Sequence, residues 1–173
     1  PGLHVRVPAA NPRCFKALRE RLAAGPEHAA QSDPAPTFHL LDGHADRALL
    51  AADVALLASG TVALEAMLAK CPMVVAYRIS ALSYRLVHGL KLMSTSLYSL
   101  PNVLAGHELV TEKMQDDCTP DQLTAAVLDL FRDGDRRQYL RTEFARLHRK
   151  LLGDATQQNP ADRAAQAIVE LLP

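Results

Sequence analysis

Short apolar runs alternate with longer helical patterns through the first half of the chain. Four of these runs predict buried strands, at residues 3–7, 37–41, 53–57 and 73–76. Because the runs lack a strict alternation of apolar and polar residues, they are typical of strands covered on both faces. Strands and helices alternating at this spacing predict βαβ units. We therefore expect an α/β fold with a parallel, doubly wound sheet and helices on both faces.

Capping residues indicate where the helices of this half begin. Asn11-Pro12 places an N-cap and a first-turn proline at the head of a helix that runs to about residue 24. A short helix is predicted over 45–51. The turn Ser59-Gly60-Thr61 leads directly from the third strand into a helix that ends near Lys70.

The pattern changes after the fourth strand. Residues 81–93 predict a helix and residues 94–106 an extended loop, and the rest of the chain is predicted to be helical. The three C-terminal helices are expected to begin at Thr119-Pro120, at Asp135 and at Asn159-Pro160. Since no linker, internal repeat or low-complexity tract interrupts the chain, we expect a single domain.

Composition agrees with one soluble globular domain. The 173 residues are 49% hydrophobic and 22% charged, enough to form a core without metals or disulfides. Nineteen Lys and Arg balance nineteen Asp and Glu, and this neutrality argues against a nucleic-acid partner. No apolar run reaches the roughly 18–20 residues of a membrane span. Three cysteines without a Cys-x-x-Cys pair predict a reducing compartment, and neither a disulfide framework nor a zinc site.

The start of the chain favours a fragment. It begins with Pro1-Gly2 rather than Met and enters a strand-like run almost at once. We therefore expect it to be a piece of a longer protein.

The most informative stretch is the turn within residues 58–65. Gly60 permits a tight turn, and the hydroxyl residues Ser59 and Thr61 stand at the start of a helix, where backbone N–H groups suit a phosphate. Glu65 shares the helix face of Thr61 and could accept ribose hydroxyls. The spacing equally fits an ordinary helix cap with a Glu that complements the dipole. The glycine motifs of dinucleotide sites and P-loops are absent.

Longer blocks carry a family resemblance. Residues 53–78 read DVALLASGTVALEAMLAKCPMVVAYR, and residues 99–106 read SLPNVLAG. Together with Val7-Pro8, Asn11 and the block NPADRAAQAI over 159–168, they closely resemble lipid-A-disaccharide synthase, in family order over essentially the whole chain. The Ser-Gly-Thr…Glu pair is shared with other UDP-sugar enzymes, whereas the block over 99–106 is far more specific.

The resemblance implies a hexosyltransferase of lipid A biosynthesis with the GT-B fold. The family transfers 2,3-diacylglucosamine from its UDP derivative onto 2,3-diacylglucosamine 1-phosphate, with inversion, and releases UDP. Residues 1–173 would form its C-terminal, Rossmann-like donor domain, followed by C-terminal helices. The acceptor domain and the catalytic base would belong to the absent N-terminal part. No catalytic residue is therefore assigned, and the fragment alone is expected to be inactive.

Carried over by motif, the resemblance implies seven substrate-binding residues. The turn Ser59-Gly60-Thr61 would hold the diphosphate and Glu65 the ribose, while Asn102 would sit in the donor site with Tyr77 and Arg78 at its rim. Fixed N–H donors at a helix N-terminus stabilise the charge of a departing phosphate without a metal. We therefore expect neither a metal nor a cofactor.

Basic and apolar residues segregate on the predicted helix over 81–93. Arg85 and Lys91 share one face, and Leu86 and Leu90 lie on another, a pattern typical of a membrane-surface helix. A helix packed on the sheet with a solvated basic edge is the alternative. Acylated substrates favour the membrane interpretation, so we expect a cytoplasmic protein held peripherally at the inner membrane. A homodimer is left open.

Two other functions compete with this interpretation. One is another GT-B enzyme that uses UDP-GlcNAc, of the 2-epimerase or peptidoglycan glycosyltransferase type. The other is a non-catalytic, membrane-associated binding module. The block over 99–106 and the basic apolar helix argue against the first, and ligand titration separates all three.

Overall fold

The computed structural model describes residues 2–24, 36–79, 97–152 and 160–171. These residues contain five strands: β1 (His4–Ala9), β2 (Thr37–Asp42), β3 (Ala55–Ala58), β4 (Met73–Tyr77) and β5 (Thr111–Met114). They also contain seven helices: α1 (Pro12–Ala23), α2 (Ala45–Ala51), α3 (Thr61–Leu68), α4 (Leu100–Ala105), α5 (Pro120–Arg132), α6 (Gly134–Leu152) and α7 (Pro160–Val169). A 3₁₀ turn, Gln115–Asp117, follows β5. Strands alternate with helices, which confirms the predicted α/β class.

All pairing among the described strands is parallel. β1 pairs with β2, and β4 lies between β3 and β5. The strands of each sheet therefore end at one common edge, which is where ligands bind in α/β proteins. Over the described residues the expected single sheet is divided into a two-stranded and a three-stranded part.

The core surrounds β4. Its residues Met73, Val74 and Val75 are fully buried because β4 has a neighbour on both edges and helices cover the sheet. α6 is long and mostly polar, but it places one apolar stripe against this core. The buried residues of that stripe are Leu140, Phe144 and Leu147. Each contributes about 1.5–3 kcal/mol relative to an exposed position.

Two helix caps predicted from the sequence are present. The side chain of Asn11 accepts a hydrogen bond from the N–H of Cys14 at 2.9 Å. The hydroxyl of Thr119 accepts one from the N–H of Gln122 at 3.3 Å. Each cap satisfies a backbone donor that the first turn of a helix leaves without an intrahelical partner.

The region after residue 94 differs from the expectation in two places. α4 lies within the predicted extended loop, and β5 lies where only helices were expected. α4 has six residues, too few to show a helical period, and ends at Gly106 in the left-handed conformation (φ 77). β5 reads Thr-Glu-Lys-Met, a polar edge strand that does not resemble a buried apolar run.

The segment predicted to face the membrane is not among the residues that the structure describes. The predicted helix over 81–93, with Arg85, Leu86, Leu90 and Lys91, lies outside the described residues. Among the helices that are described, none is long and apolar enough to cross a bilayer.

Candidate functional site

The candidate site is built on the turn between β3 and α3. Gly60 is the N-cap of α3, with φ 150 and ψ −162. This backbone region is essentially restricted to glycine, so a side chain at this position would strain the turn. Among the described residues other than Gly60 and its two chain neighbours, no heavy atom lies within 4 Å of where a Cβ on Gly60 would stand. The front of the turn is therefore open to a ligand.

In the part of the chain that the structure describes, α3 begins at Gly60 without a side-chain cap. The N–H of Ser59 donates a hydrogen bond to the carbonyl of Ala76 in β4 at 2.9 Å. Gly60 and Thr61 are exposed beyond it. Because the first N–H groups of a helix have no intrahelical acceptor, this end presents donors and the positive end of the helix dipole to solvent. Such an arrangement binds anions.

Glu65 lies one turn further along α3 and is exposed, as expected from the sequence. The next two residues, Ala66 and Met67, are fully buried. α3 thus packs on the core through one face and leaves Glu65 on the other, together with the exposed Thr61 four residues earlier. A ligand bound at the helix N-terminus can therefore extend to the carboxylate.

Tyr77 and Arg78 lie at the carboxyl end of β4 and are both exposed. β3 and β4 are parallel, with Ala58 opposite Ala76, so Tyr77 comes level with the turn at Ser59. The register brings together residues that are far apart in sequence. Tyr77 and Arg78 therefore lie beside the turn at Ser59, and their role in substrate binding stays a prediction.

Asn102 is fully buried on α4, and its side chain is bonded within the protein. Its carbonyl oxygen accepts from the N–H groups of Leu109 and Val110, both at 2.8 Å. Its amide nitrogen donates to the carbonyl of Val110 at 2.9 Å and to the Glu112 carboxylate at 2.7 Å. Asn102 therefore fixes α4 against the chain that enters β5. Its place in the donor site stays a prediction.

Glu112 of β5 is a second anchor, which the sequence did not indicate. Its carboxylate accepts from the N–H groups of Tyr98, at 3.1 Å, and Ser99, at 2.7 Å, as well as from Asn102. A carboxylate at the head of α4 satisfies donors that the helix leaves unpaired.

Gln115 holds the chain that leaves β4. Its side-chain oxygen accepts from the N–H of Ile79 at 2.7 Å, and its side-chain nitrogen donates to the carbonyl of Ile79 at 3.3 Å. Ile79 directly follows Arg78. Gln115 therefore fixes the backbone next to the edge of the site. Glu112 and Gln115 each bond to groups that are distant in the sequence, and no local sequence motif identifies either residue.

The described part of the chain contains no group of three or more His, Cys, Asp or Glu side chains that could hold a metal ion. That the site needs no metal stays a prediction.

Comparison with known proteins gives one consistent family. The model of the family described as lipid-A-disaccharide synthetase matches residues 2–168. A lipid-A-disaccharide synthase of Xanthomonas campestris pv. campestris (strain 8004) is 49% identical over 172 residues, which are 99% of this chain and 37% of the relative. The synthase of Xylella fastidiosa (strain 9a5c) is 47% identical over 173 residues, 100% of this chain and 42% of the relative. The chain thus spans well under half the length of these relatives.

Similarity to solved structures is weaker. A structure described as the structural basis for EarP-mediated arginine glycosylation of translation elongation factor EF-P aligns with 99% of this chain and 53% of its own. The identity is 19% and the TM-score 0.49. Because this match is weak, the fold is assigned from the strand pairing and order of this chain alone.

Proposed function

The chain belongs to the lipid-A-disaccharide synthetase family, and we propose that it forms the donor-binding part of a glycosyltransferase of lipid A biosynthesis. One observation carries the proposal: α3 begins without a side-chain cap at Gly60, at the edge where the strands of its sheet end. In α/β proteins this is a site for the phosphates of a nucleotide.

The proposed donor is UDP-2,3-diacylglucosamine, with its diphosphate at Ser59, Gly60 and Thr61. Breaking the bond between sugar and diphosphate builds negative charge on the departing phosphate. The N–H groups at the start of α3 are held in place by the fold, so they stabilise this charge without reorganisation and without a metal. Glu65 accepts hydrogen bonds from the ribose hydroxyls. No cofactor takes part.

Tyr77 and Arg78 complete the donor site in this proposal. They stand beside the turn at the end of β4, where an exposed guanidinium offers charge-assisted hydrogen bonds to a phosphate. Asn102 acts on the donor site by holding α4 in place through its four internal hydrogen bonds.

The proposed acceptor is 2,3-diacylglucosamine 1-phosphate. Its hydroxyl attacks with inversion and gives lipid A disaccharide 1-phosphate and UDP. The acceptor pocket and the catalytic base belong, in this proposal, to the N-terminal domain of a GT-B enzyme. This chain is 37–42% of the length of its curated relatives and contributes the C-terminal domain.

We further propose a peripheral position at the cytoplasmic face of the inner membrane, with Arg85, Leu86, Leu90 and Lys91 facing the lipid. The segregated sequence pattern over 81–93 and the acylated substrates support this proposal. Replacing Arg85 and Lys91 with Glu should reduce sedimentation with anionic vesicles and leave UDP affinity unchanged. Equal vesicle binding before and after the replacement would contradict the membrane position.

Calorimetric titration with three ligands tests the donor assignment. UDP should bind, and UDP-2,3-diacylglucosamine should bind more tightly than UDP-GlcNAc. Equal affinity for the two sugar nucleotides would favour another GT-B enzyme that uses UDP-GlcNAc. Binding of none of the three would favour a non-catalytic module and contradict the proposal.

A further inference from the structure

Gln115 makes two hydrogen bonds with a single residue at the edge of the candidate site. Its side-chain oxygen accepts from the N–H of Ile79 at 2.7 Å, and its side-chain nitrogen donates to the carbonyl of Ile79 at 3.3 Å. A side-chain amide offers an acceptor and a donor side by side, so one group satisfies both. For Ile79, the side chain of Gln115 thus takes the place of a neighbouring strand.

The strand register places these residues beside the turn that begins α3. β4 lies between β3 and β5, and its last residue, Tyr77, is opposite Met114. Arg78 and Gln115 are the residues that follow on the two strands. Because neighbouring strands are about 4.8 Å apart, Gln115 is roughly 9–10 Å from the end of β3, and the chain of Arg78 lies between them. Gln115 therefore bears on the site through that chain.

The contact restrains the backbone of Arg78 as well as that of Ile79. The N–H of Ile79 belongs to the planar peptide unit that begins at the Cα of Arg78. Holding this N–H against Gln115 fixes the plane of that unit, and β4 holds the chain on the other side of Arg78. The direction in which the Arg78 side chain leaves the backbone is therefore set. Arg78 is exposed, so its guanidinium is accessible to a ligand.

The backbone of Gln115 adopts a strained conformation. Its φ is 47°, in the left-handed region that residues with a β-carbon rarely adopt. The turn that follows helps to keep it there, because the carbonyl of Gln115 accepts from the N–H of Cys118 at 3.1 Å. Glycine would adopt this conformation without strain but could not bond to Ile79. The strain is thus tied to the side chain that holds Ile79.

We propose that Gln115 is a positioning residue for phosphate recognition, which holds the Ile79 peptide so that the Arg78 guanidinium is directed to the diphosphate at the start of α3. This role rests on the proposed function, which assigns the diphosphate to that turn. A phosphate then meets a guanidinium whose backbone is already in place, so less freedom is lost on binding. Uridine carries no phosphate, and its binding should not depend on Gln115.

Calorimetry with this chain tests the role. Arg78→Ala should bind UDP about tenfold or more weakly, because it loses a charge-assisted hydrogen bond. Gln115→Ala should bind UDP and inorganic pyrophosphate about threefold or more weakly, because a misdirected guanidinium forfeits part of that bond. The double variant should bind UDP no more weakly than Arg78→Ala alone, since Gln115 acts only through Arg78. Uridine affinity, measured by NMR titration, should be equal in the wild type and all three variants.

Two further variants separate positioning from stability. Gln115→Gly also lacks the amide but relieves the strained backbone, so it should unfold at a higher urea concentration than Gln115→Ala and yet bind UDP just as weakly. Gln122→Ala is the matched control. It removes another amide beside the same turn, where Gln122 bonds to Lys113 and Asp117, and it should leave UDP affinity unchanged.

Three outcomes would overturn the role of Gln115. The first is an unchanged UDP affinity in folded Gln115→Ala and Gln115→Gly. The second is a double variant in which the two losses multiply, or an Arg78→Ala variant without any loss. The third is a uridine affinity that falls by the same factor as that for UDP, which would indicate a purely structural role.

The same titrations distinguish this role from the proposed function. If the wild type binds UDP and pyrophosphate but the Gln115 variants bind both equally well, the positioning role alone is wrong. If the wild type binds neither ligand, the proposed function is wrong and the role of Gln115 falls with it.

Discussion

The carboxylate of Glu65 is exposed on α3, so its removal should cost affinity rather than stability. We expect Glu65→Ala to remain folded and to bind UDP about tenfold or more weakly, since hydrogen bonds to a charged group contribute roughly 1.5–3 kcal/mol. Calorimetry measures this change. Glu20→Ala removes an exposed carboxylate from α1 and should leave affinity unaltered. Equal UDP affinity in the wild type and a folded Glu65→Ala variant would contradict the ribose contact.

Cys71 is buried just before β4 and should be an unreactive thiol at neutral pH. Burial raises its pKa from 9.0 to about 11, with the Arg141 guanidinium opposing the rise and the Asp53 carboxylate adding to it. Because the folded pKa is the higher one, the stability linked to this thiol is present below pH 9 and is lost as pH rises through about 11.

Alkylation with iodoacetamide at pH 8, followed by mass spectrometry, checks this expectation. The exposed Cys14 should be modified rapidly and serves as the internal control. Cys71 should react only after unfolding, or as the pH approaches 11. Modification of Cys71 at the rate of Cys14 in the native protein would contradict its burial.

Some residues of the candidate site can be identified from neighbouring positions in the sequence, whereas others are defined by contacts with distant segments. The turn at Gly60 and the exposed face of Glu65 follow from a few neighbouring residues, and the structure places both as expected. Glu112 and Gln115 act on backbone groups 13 to 36 positions away, so no spacing in the sequence reveals them. Asn102 was identified by its motif, but only the structure shows what its amide bonds to.

At the level of elements, α4 depends on β5 through the amide of Asn102. Asn102→Ala leaves two buried N–H groups, a carbonyl and part of the Glu112 carboxylate without their partner. Since each unsatisfied buried group costs about 1–3 kcal/mol, we expect a loss of roughly 3–5 kcal/mol. Urea denaturation measures it. Val103→Ala, on the same helix and 51% exposed, should change stability little. Equal effects of the two substitutions would contradict the anchoring role.

Elements with strong local signals were predicted well, and those defined by distant partners were not. α1 and α5 begin at the caps that the sequence shows, and β4 is the buried strand that its apolar run predicts. α4 and β5 were missed, since α4 is short and β5 carries polar residues that bond across to other segments. Packing and long-range hydrogen bonds determine such elements.

At the level of the whole molecule, the proposed division of labour predicts binding without turnover. In our proposal the chain supplies the phosphate site at the start of α3 and the Glu65 carboxylate for the ribose. In our proposal the acceptor pocket and the base lie in the rest of the enzyme. General-base catalysis needs a proton acceptor within hydrogen-bond reach of the attacking hydroxyl, and a missing acceptor pocket forfeits the advantage of proximity. We therefore expect no disaccharide 1-phosphate from labelled donor and acceptor with this chain alone.

The intact Xanthomonas campestris synthase is the positive control for that assay. Turnover by the isolated chain near the rate of the intact relative would mean that the base lies within these 173 residues.

The overall class of the fold was predictable from the sequence, whereas the division of its sheet was not. Alternating strands and helices indicate parallel βαβ units whatever their order. Strand order depends on which edges meet, and the separation of β1 and β2 from the other three described strands is visible only from the backbone pairing.

We propose that UDP binds at the uncapped start of α3. Amide NMR of the isolated chain during titration with UDP tests this directly. The largest shifts should fall on Gly60, Thr61 and their neighbours, with smaller shifts toward Glu65. Shifts concentrated instead in the groove between β5 and α5, around Lys113 and Asp129, would contradict it.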